Sequence, residues 1–327
     1  MSKLLHLLED APTELQEPIL SPSLNDYQPG TKDKYFKHLN KMRQFMWFPD
    51  EISLVDDESH IKFKMSAAEI KLIKTILLFF NFADGVVADN TADNFGQEVQ
   101  PMYIKACYRF AAMMEDIHAE TYKNLLMALF PGNYDEVCAT ILKSPTIKKK
   151  IAWMAKWMNR DTPFAQRIAA FLCVEGIFFS ASFATIFWFK SRGLLPGNAQ
   201  ANELISRDEN MHQELAILVY NDLVAKCDSA TIHQIFTEAV EVECGFIQEA
   251  LTETILDLNC QRLETYTKFI ADRLLEFIGY EKIYKVKNPC DYMYNLCLES
   301  KVNFFEQTAT AYKPLYITDK LKKLNEY

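Results

Sequence analysis

Two of the chain's six histidines close a Glu-x-x-His motif: Glu115-Asp-Ile-His118 and Glu209-Asn-Met-His212. On a helix, the i, i+3 spacing lays carboxylate and imidazole on one face. Each pair can therefore hold one metal ion or share a second with a neighbour. A single such motif is more often a surface ion pair. Two of them on separate long helices form half of a dimetal bundle site, which takes one further carboxylate from each of two other helices. Asp84, in LLFFNFADGVV, and Glu175, in FLCVEGIFFSASF, fill that requirement. Each sits in an apolar run where an unpaired carboxylate is costly, and a pair of cations relieves both costs together. Asp84, Glu115, His118, Glu175, Glu209 and His212 offer hard oxygen and borderline nitrogen donors. That set suits iron or manganese better than zinc, which usually takes fewer ligands and often cysteine. Tyr122 follows His118 by four residues and shares its face. Spacing alone leaves it evenly divided between a core tyrosine with a satisfied hydroxyl and a phenol that an oxygen-activating metal pair could oxidise to a radical.

The elements that must carry these residues read as helices. With 9 glycines and 12 prolines in 327 residues, and 49% of the chain apolar, an all-α fold with one large core is expected. Ser66-Ala-Ala-Glu69 is a capping box that opens a long helix through Ile73, Leu77 and Phe80 toward Asp84. A second long helix runs from Pro101 to Pro131-Gly132, and shorter ones fill 134–158. A strongly apolar helix spans Asp161 to Ser191 and stops at Gly193-Leu-Leu-Pro196-Gly197. Helices over Asn198–Ala225, 229–254 and 259–280 follow. The expected organisation is an irregular segment over 1–65 with a short helical piece at Lys34–Met46, a ferritin-like helical domain over 66–299, and a flexible tail over 300–327. No repeat of fixed period is present.

A net charge of −9 and a pI near 5.3 disfavour nucleic acid as a direct partner. The basic cluster of Lys148, Lys149 and Lys150 with Lys143 and Lys156 reads as a solvated helix end. The eight cysteines form no CxxC and read as reduced thiols of an intracellular, cytoplasmic protein. The opening residues MSKLLHLLEDAPTE turn acidic before any long apolar run, unlike a secretory signal. Ile168 to Phe189 is long and apolar enough to cross a bilayer. Glu175 inside it favours a buried core helix instead, so no membrane partner is expected.

The blocks FADGVVADN, QEVQ, MEDIHAETY, VEGIFFSASFATIFWFKSRGLLPG and NELISRDENMH, in this order, closely resemble the small, radical-generating subunit of class I ribonucleotide reductase of the eukaryotic and viral type. The resemblance covers roughly residues 30–312. It implies that Asp84, Glu115 and His118 hold one iron and Glu175, Glu209 and His212 the other, with Glu115 bridging. It implies that Tyr122 becomes the stable radical, shielded by Phe179, Phe183 and Ile205 in a pocket closed to reductants. By the same resemblance Trp47 relays an electron to the metals, Asp208 links Trp47 to His118, and Tyr312 in FFEQTATAY is a further relay. The implied cofactor is two iron ions per chain in a diiron-oxo centre, with manganese as the alternative. The implied partners are a large catalytic subunit and a second copy of the chain. One departure stands out. Family members of this type usually end in an acidic docking peptide, whereas after Tyr312 this chain has Lys313, Lys320, Lys322 and Lys323 against Asp319 and Glu326.

The function this implies is an oxidoreductase subunit that makes a tyrosyl radical with oxygen and supplies it to the large subunit for deoxyribonucleotide synthesis. No glycine-rich nucleotide motif is present, so substrate is not expected to bind here. A ferritin-like dimetal oxidase acting on its own bound substrate shares the metal motifs and stays open as the alternative. Iron storage is the non-enzymatic reading, but it needs neither a shielded tyrosine nor a relay.

Overall fold

The computed structural model describes residues 17–21, 33–90, 94–132 and 134–293, except for the side chains of 84–90 and of Val137. The chain divides into two compact units, Met1–Tyr292 and Met293–Tyr327, and the helices below belong to the first. They are α1 (Lys34–Gln44), α2 (Val55–Phe63), α3 (Ala67–Asn90), α4 (Met102–Leu129), α5 (Tyr134–Ile141), α6 (Pro145–Trp157), α7 (Phe164–Cys173), α8 (Phe179–Ser191), α9 (Pro196–Asp222), α10 (Ser229–Ala250) and α11 (Cys260–Phe277). Among the described residues there is no strand, only an isolated bridge between Ile255 and Leu258. The fold is all-α and ferritin-like, as expected.

The helices begin where side chains can satisfy their first N–H groups. Ser66 and Glu69 form the capping box: the Ser66 N–H donates to Glu69 Oε2 (2.7 Å) and the Glu69 N–H to Ser66 Oγ (3.3 Å). Asp33, Ser144, Asp228 and Asn259 cap α1, α6, α10 and α11 with their side chains. Proline opens α6 and α9 and immediately precedes α4 and α7, where its missing N–H costs nothing. Four elements form the central bundle. The paired α3 and α4 face α9 and the α7–α8 rod, while α10 and α11 cover the rod's outer side and α6 lies on α10.

The α7–α8 rod is the apolar stretch that is long enough to imitate a membrane span. It is buried inside the bundle over its most apolar window, and its flanking Arg167 is buried too, forked onto Glu98 at 2.6 and 2.5 Å. Each large apolar side chain buried there contributes roughly 1.5–3 kcal/mol. The rod is not one α-helix. Between α7 and α8, Val174–Phe178 winds as a π-turn, a feature that recurs at functional sites. Glu175 lies in this turn.

Two further differences have physical causes. The segment before residue 66 contains α2 as well as α1. Helix α2 (VDDESHIKF) has almost no apolar stripe, so periodicity could not reveal it. It is held through polar contacts to the start of α9. There Asp57 accepts the N–H groups of Gly197 (3.1 Å) and Asn198 (3.0 Å), and His60 Nδ1 accepts that of Leu195 (3.0 Å). The solvated-cluster reading of Lys148–Lys150 holds for Lys148 and Lys149 but fails at Lys150, which is 1% exposed. Three consecutive helical residues point in three directions, so one of them turns inward.

The junction between α2 and α9 gives a direct test of packing. A Cβ built on Gly197 would lie 2.1 Å from the Ser53 carbonyl oxygen and 2.6 Å from Asp57 Oδ2. Gly197→Ala is expected to push α9 off α2 and lower unfolding free energy by about 1–3 kcal/mol, the usual cost of overpacking. Denaturant titration reads it, and an unchanged midpoint would show that the junction is loose.

Candidate metal centre

The two Glu-x-x-His motifs meet across the bundle because α4 and α9 pack together. Ligand atoms of Glu115, Glu175, Glu209 and His212 all lie within 4.8 Å of one another, and all four residues are buried. His118 completes the cluster. Its Nδ1 is 3.1 Å from Glu209 Oε1 and 3.3 Å from Glu115 Oε2, while His212 Nδ1 is 2.9 Å from Glu115 Oε1 and 3.2 Å from Glu209 Oε2. Each of these two glutamates thus spans both imidazoles, one oxygen to each. Five of the six predicted ligands converge. The sixth, Asp84, is on α3, and its side chain lies outside the described residues.

This cluster fits cations. Three carboxylates in a dry space of this size repel one another and lack water to relieve the charge. Both oxygens of Glu115, Oε1 of Glu209 and Nδ1 of His118 make their close contacts without hydrogen-bond alignment. The protonation preferences point the same way. Burial works against a charged imidazole at both histidines. At His118, the hydrogen bond to Asp208 and the close carboxylates of Glu115 and Glu209 overcome it and hold the imidazole well above its usual value. At His212 the charges of Glu115 and Glu209 raise it to about 10. Burial opposes the Glu209 carboxylate, yet His118 and His212 hold it below the usual range. The carboxylates recruit whatever positive charge is available. Metal ions binding there would displace the imidazole protons.

The residues around the cluster are ordered by direct contacts. Trp47, in the turn after α1, is fully buried, and its Nε1–H donates to Asp208 Oδ2 (2.7 Å). The same Asp208 oxygen lies 3.2 Å from His118 Nε2, and the Trp47 and His118 rings stack with centroids 6.2 Å apart. A proton on Nε2 facing Asp208 leaves Nδ1 free to ligate, the usual division of labour for a metal-binding imidazole. Arg207 joins this string, reaching the Phe45 carbonyl (2.6 Å) and Asp208 Oδ1 (3.4 Å).

Tyr122 is fully buried, and its hydroxyl donates to Asn202 Oδ1 (2.7 Å). Asn202 is itself oriented, because its Nδ2 donates to the Asn198 carbonyl (2.8 Å) and Oδ1 (3.1 Å). Phe80 lies flat on the Tyr122 ring, with centroids 4.8 Å apart and planes within 2°. Phe183 and Phe179 pack against Phe80 at 4.8 and 5.4 Å, and Ile205 is buried on α9. Phe80 and Asn202 are absent from the residues expected around Tyr122; helical spacing places each on the ligand-bearing face of its own helix without naming the partner it meets. Phe80 precedes Asp84 by four residues, and Asn202 precedes Glu209 by seven, two turns along the same face. Tyr312 and the neighbouring Tyr316 and Tyr327 lie outside the described residues.

Comparison with known proteins agrees with this geometry. The sequence model of the family described as "Ribonucleotide reductase, small chain" matches residues 24–289. The chain belongs to the ribonucleotide reductase small-chain family. Among its relatives is the ribonucleoside-diphosphate reductase small chain of Vaccinia virus (strain Ankara), 37% identical over 303 residues that cover 91% of this chain and 95% of that one. A ribonucleoside-diphosphate reductase small chain of Arabidopsis thaliana is 38% identical over 306 residues, 92% of each protein. Of solved structures, the Rnr4 homodimer of Saccharomyces cerevisiae superposes with a TM-score of 0.77 at 27% identity, over 88% of this chain and 93% of that one. Family membership and the cluster together make this a metal-binding oxidoreductase subunit whose family works with a large subunit.

Proposed function

We propose that this chain, as the small subunit of a ribonucleoside-diphosphate reductase, holds a diiron centre in the Asp84, Glu115, His118, Glu175, Glu209 and His212 cluster. It stores an oxidising equivalent at Tyr122 and exchanges it with the large subunit through Trp47 and Asp208. Iron is favoured over manganese by the presence of Tyr122, which related subunits with mixed manganese–iron centres often replace. When bound and supplied with oxygen, such a metal pair provides the oxidising power that a phenol requires.

The chain's own residues do the rest. Glu115 and Glu209 span both imidazoles and fix the spacing of the two metal positions. Phe80, Phe179, Phe183 and Ile205 keep water and reductants from the Tyr122 ring. Asn202 sets the direction of the Tyr122 hydroxyl by accepting its hydrogen bond, and a neutral amide oxygen does so without acting as a base. Asp208, at 2.7 Å from Trp47 Nε1, is placed to take the indole proton as an electron leaves Trp47, and to return it when the electron comes back. The tail, with Tyr312, is proposed to continue this route and to dock on the large subunit. A cytoplasmic homodimer is the proposed working state. The seven described cysteines are free thiols, in keeping with a reducing compartment.

The observation that carries this reading is the Trp47–Asp208–His118 string. An oxidase acting on its own substrate needs a pocket at the metals rather than a wire leading away from them. The cavity of about 210 Å³ between Ala67–Leu72 and Ala250–Ile255 is lined by none of the cluster residues. The test is Trp47→Phe. It is expected to bind metal as the parent does, while deoxyribonucleotide formation with the large subunit falls to background. Parental turnover in this variant would remove the string from the mechanism.

A further inference from the structure

The π-turn that carries Glu175 is gripped from outside by two neighbouring helices. A π-turn takes backbone carbonyls out of the α-helical ladder, and buried carbonyls need donors. Gln213 Nε2, on α9 beside the ligand His212, donates to the Glu175 carbonyl (3.0 Å). Lys150 Nζ, on α6, donates to the Phe178 carbonyl (3.2 Å). Within the turn's own continuation, Ser180 Oγ donates to the Ile177 carbonyl (2.8 Å). Behind the turn the packing is close, since a Cβ on Gly176 would meet the Leu274 side-chain tip, Cδ1, at 2.4 Å.

Lys150 is an unusual residue to find here. It is 1% exposed and its counter-ion Glu243, on α10, is fully buried, with Nζ 2.5 Å from Glu243 Oε2. The ammonium also lies over the rings of Phe79 (3.7 Å), Phe246 (4.3 Å) and Phe178 (4.9 Å). Burial pushes Glu243 up to about 7 and Lys150 below its ordinary value, each opposed by the charge of the other. Buried ion pairs contribute little net stability, and apolar residues of similar volume often do as well or better. A pair kept here is better explained by what its donor holds in place. That is the Phe178 carbonyl, three residues beyond Glu175, and the Phe79 ring next to Phe80, which covers Tyr122.

We infer that Lys150, neutralised by Glu243 and seconded by Gln213, is a positioning residue of the metal centre: it clamps the π-turn so that the Glu175 carboxylate is aimed at the cluster. This rests on the reading of that cluster as a metal site. Residues supporting metal ligands from behind typically govern about 10–100-fold of metal affinity.

The test uses the full-length protein and Mn(II) as the probe, titrated anaerobically, with free Mn(II) read by EPR and thermal stability read in parallel without metal. Lys150→Met/Glu243→Leu removes the buried charges together. It is expected to melt close to the parent yet bind the weaker of its two Mn(II) ions at least about tenfold less tightly. Gln213→Met disturbs no charge and is expected to shift affinity in the same direction by less. Parental Mn(II) affinity in a folded double variant overturns the assignment to Lys150. If that variant does not fold, parental affinity in Gln213→Met, which leaves both buried charges in place, overturns the clamp, and weakened affinity there supports it. Failure of the parent itself to bind two Mn(II) ions would count against the metal site rather than against the clamp.

Discussion

Tyr122→Phe is expected to abolish deoxyribonucleotide formation with the large subunit while leaving metal uptake at the parental level. The phenol is not among the converging ligands. Its hydroxyl binds Asn202 on α9, and its ring is covered by Phe80. Phenylalanine keeps the stacking and loses only the oxidisable oxygen. Asn202 Oδ1 then loses a donor in a buried site, which costs about 1–3 kcal/mol, so the variant should also melt at a lower temperature. Metal analysis, thermal melting and a turnover assay on one preparation separate the three effects. Turnover near that of the parent would contradict storage of the oxidising equivalent at Tyr122.

The second large effect is expected at Glu115. Its two oxygens face His212 at 2.9 Å and His118 at 3.3 Å, so on the proposed reading Glu115→Ala would remove a ligand from both metal positions at once. Metal affinity should fall by at least about a hundredfold, beyond the usual reach of residues that only support ligands. The parent should gain about 2.7 kcal/mol of stability per metal site when free metal stands a hundredfold above that site's dissociation constant. Under the same conditions Glu115→Ala should gain close to nothing. Paired melting curves with and without metal give the answer. An equal metal-induced shift in both proteins would show that Glu115 does not ligate.

Much of this centre is legible without any coordinates. The two Glu-x-x-His motifs name four candidate ligands, and the isolation of Asp84 and Glu175 among apolar residues names two more, of which Glu175 is seen to join the cluster. The helices that carry them are marked by local chemistry: the Ser66–Glu69 box, Pro101, and the Gly193–Gly197 break. That break ends α8 and releases α9 at Pro196, two residues before the expected start. What stays hidden has no periodic signal. The π-turn at Val174–Phe178 lies in a stretch buried on all sides, so a shift in helical phase leaves no polar residue out of place. Helix α2 is held by Asp57 and His60 rather than by an apolar face. Lys150 looks like its neighbours Lys148 and Lys149 because charge runs carry no information about which member turns inward.

The expected Tyr122 shield illustrates the same division. Family resemblance implies Phe179, Phe183 and Ile205, and all three are buried. The ring stacked flat on the phenol is Phe80, one apolar residue within LLFF, where composition cannot distinguish a shield from ordinary core. Asn202, the hydroxyl's acceptor, is likewise one polar residue in a long helix until the fold brings it to Tyr122. Function here depends on which buried residues face one another across helices, and single-helix spacing reports only half of each such pair.

The most direct measurement is EPR of the full-length protein reconstituted from the metal-free state with ferrous iron and then oxygen, with tyrosines deuterated at both the ring and the β-carbon in a parallel sample. The account predicts uptake of a pair of irons per chain and an organic radical whose hyperfine splitting collapses on deuteration and which is missing in Tyr122→Phe. The same radical persisting in Tyr122→Phe, or iron uptake many times a pair per chain, would contradict it.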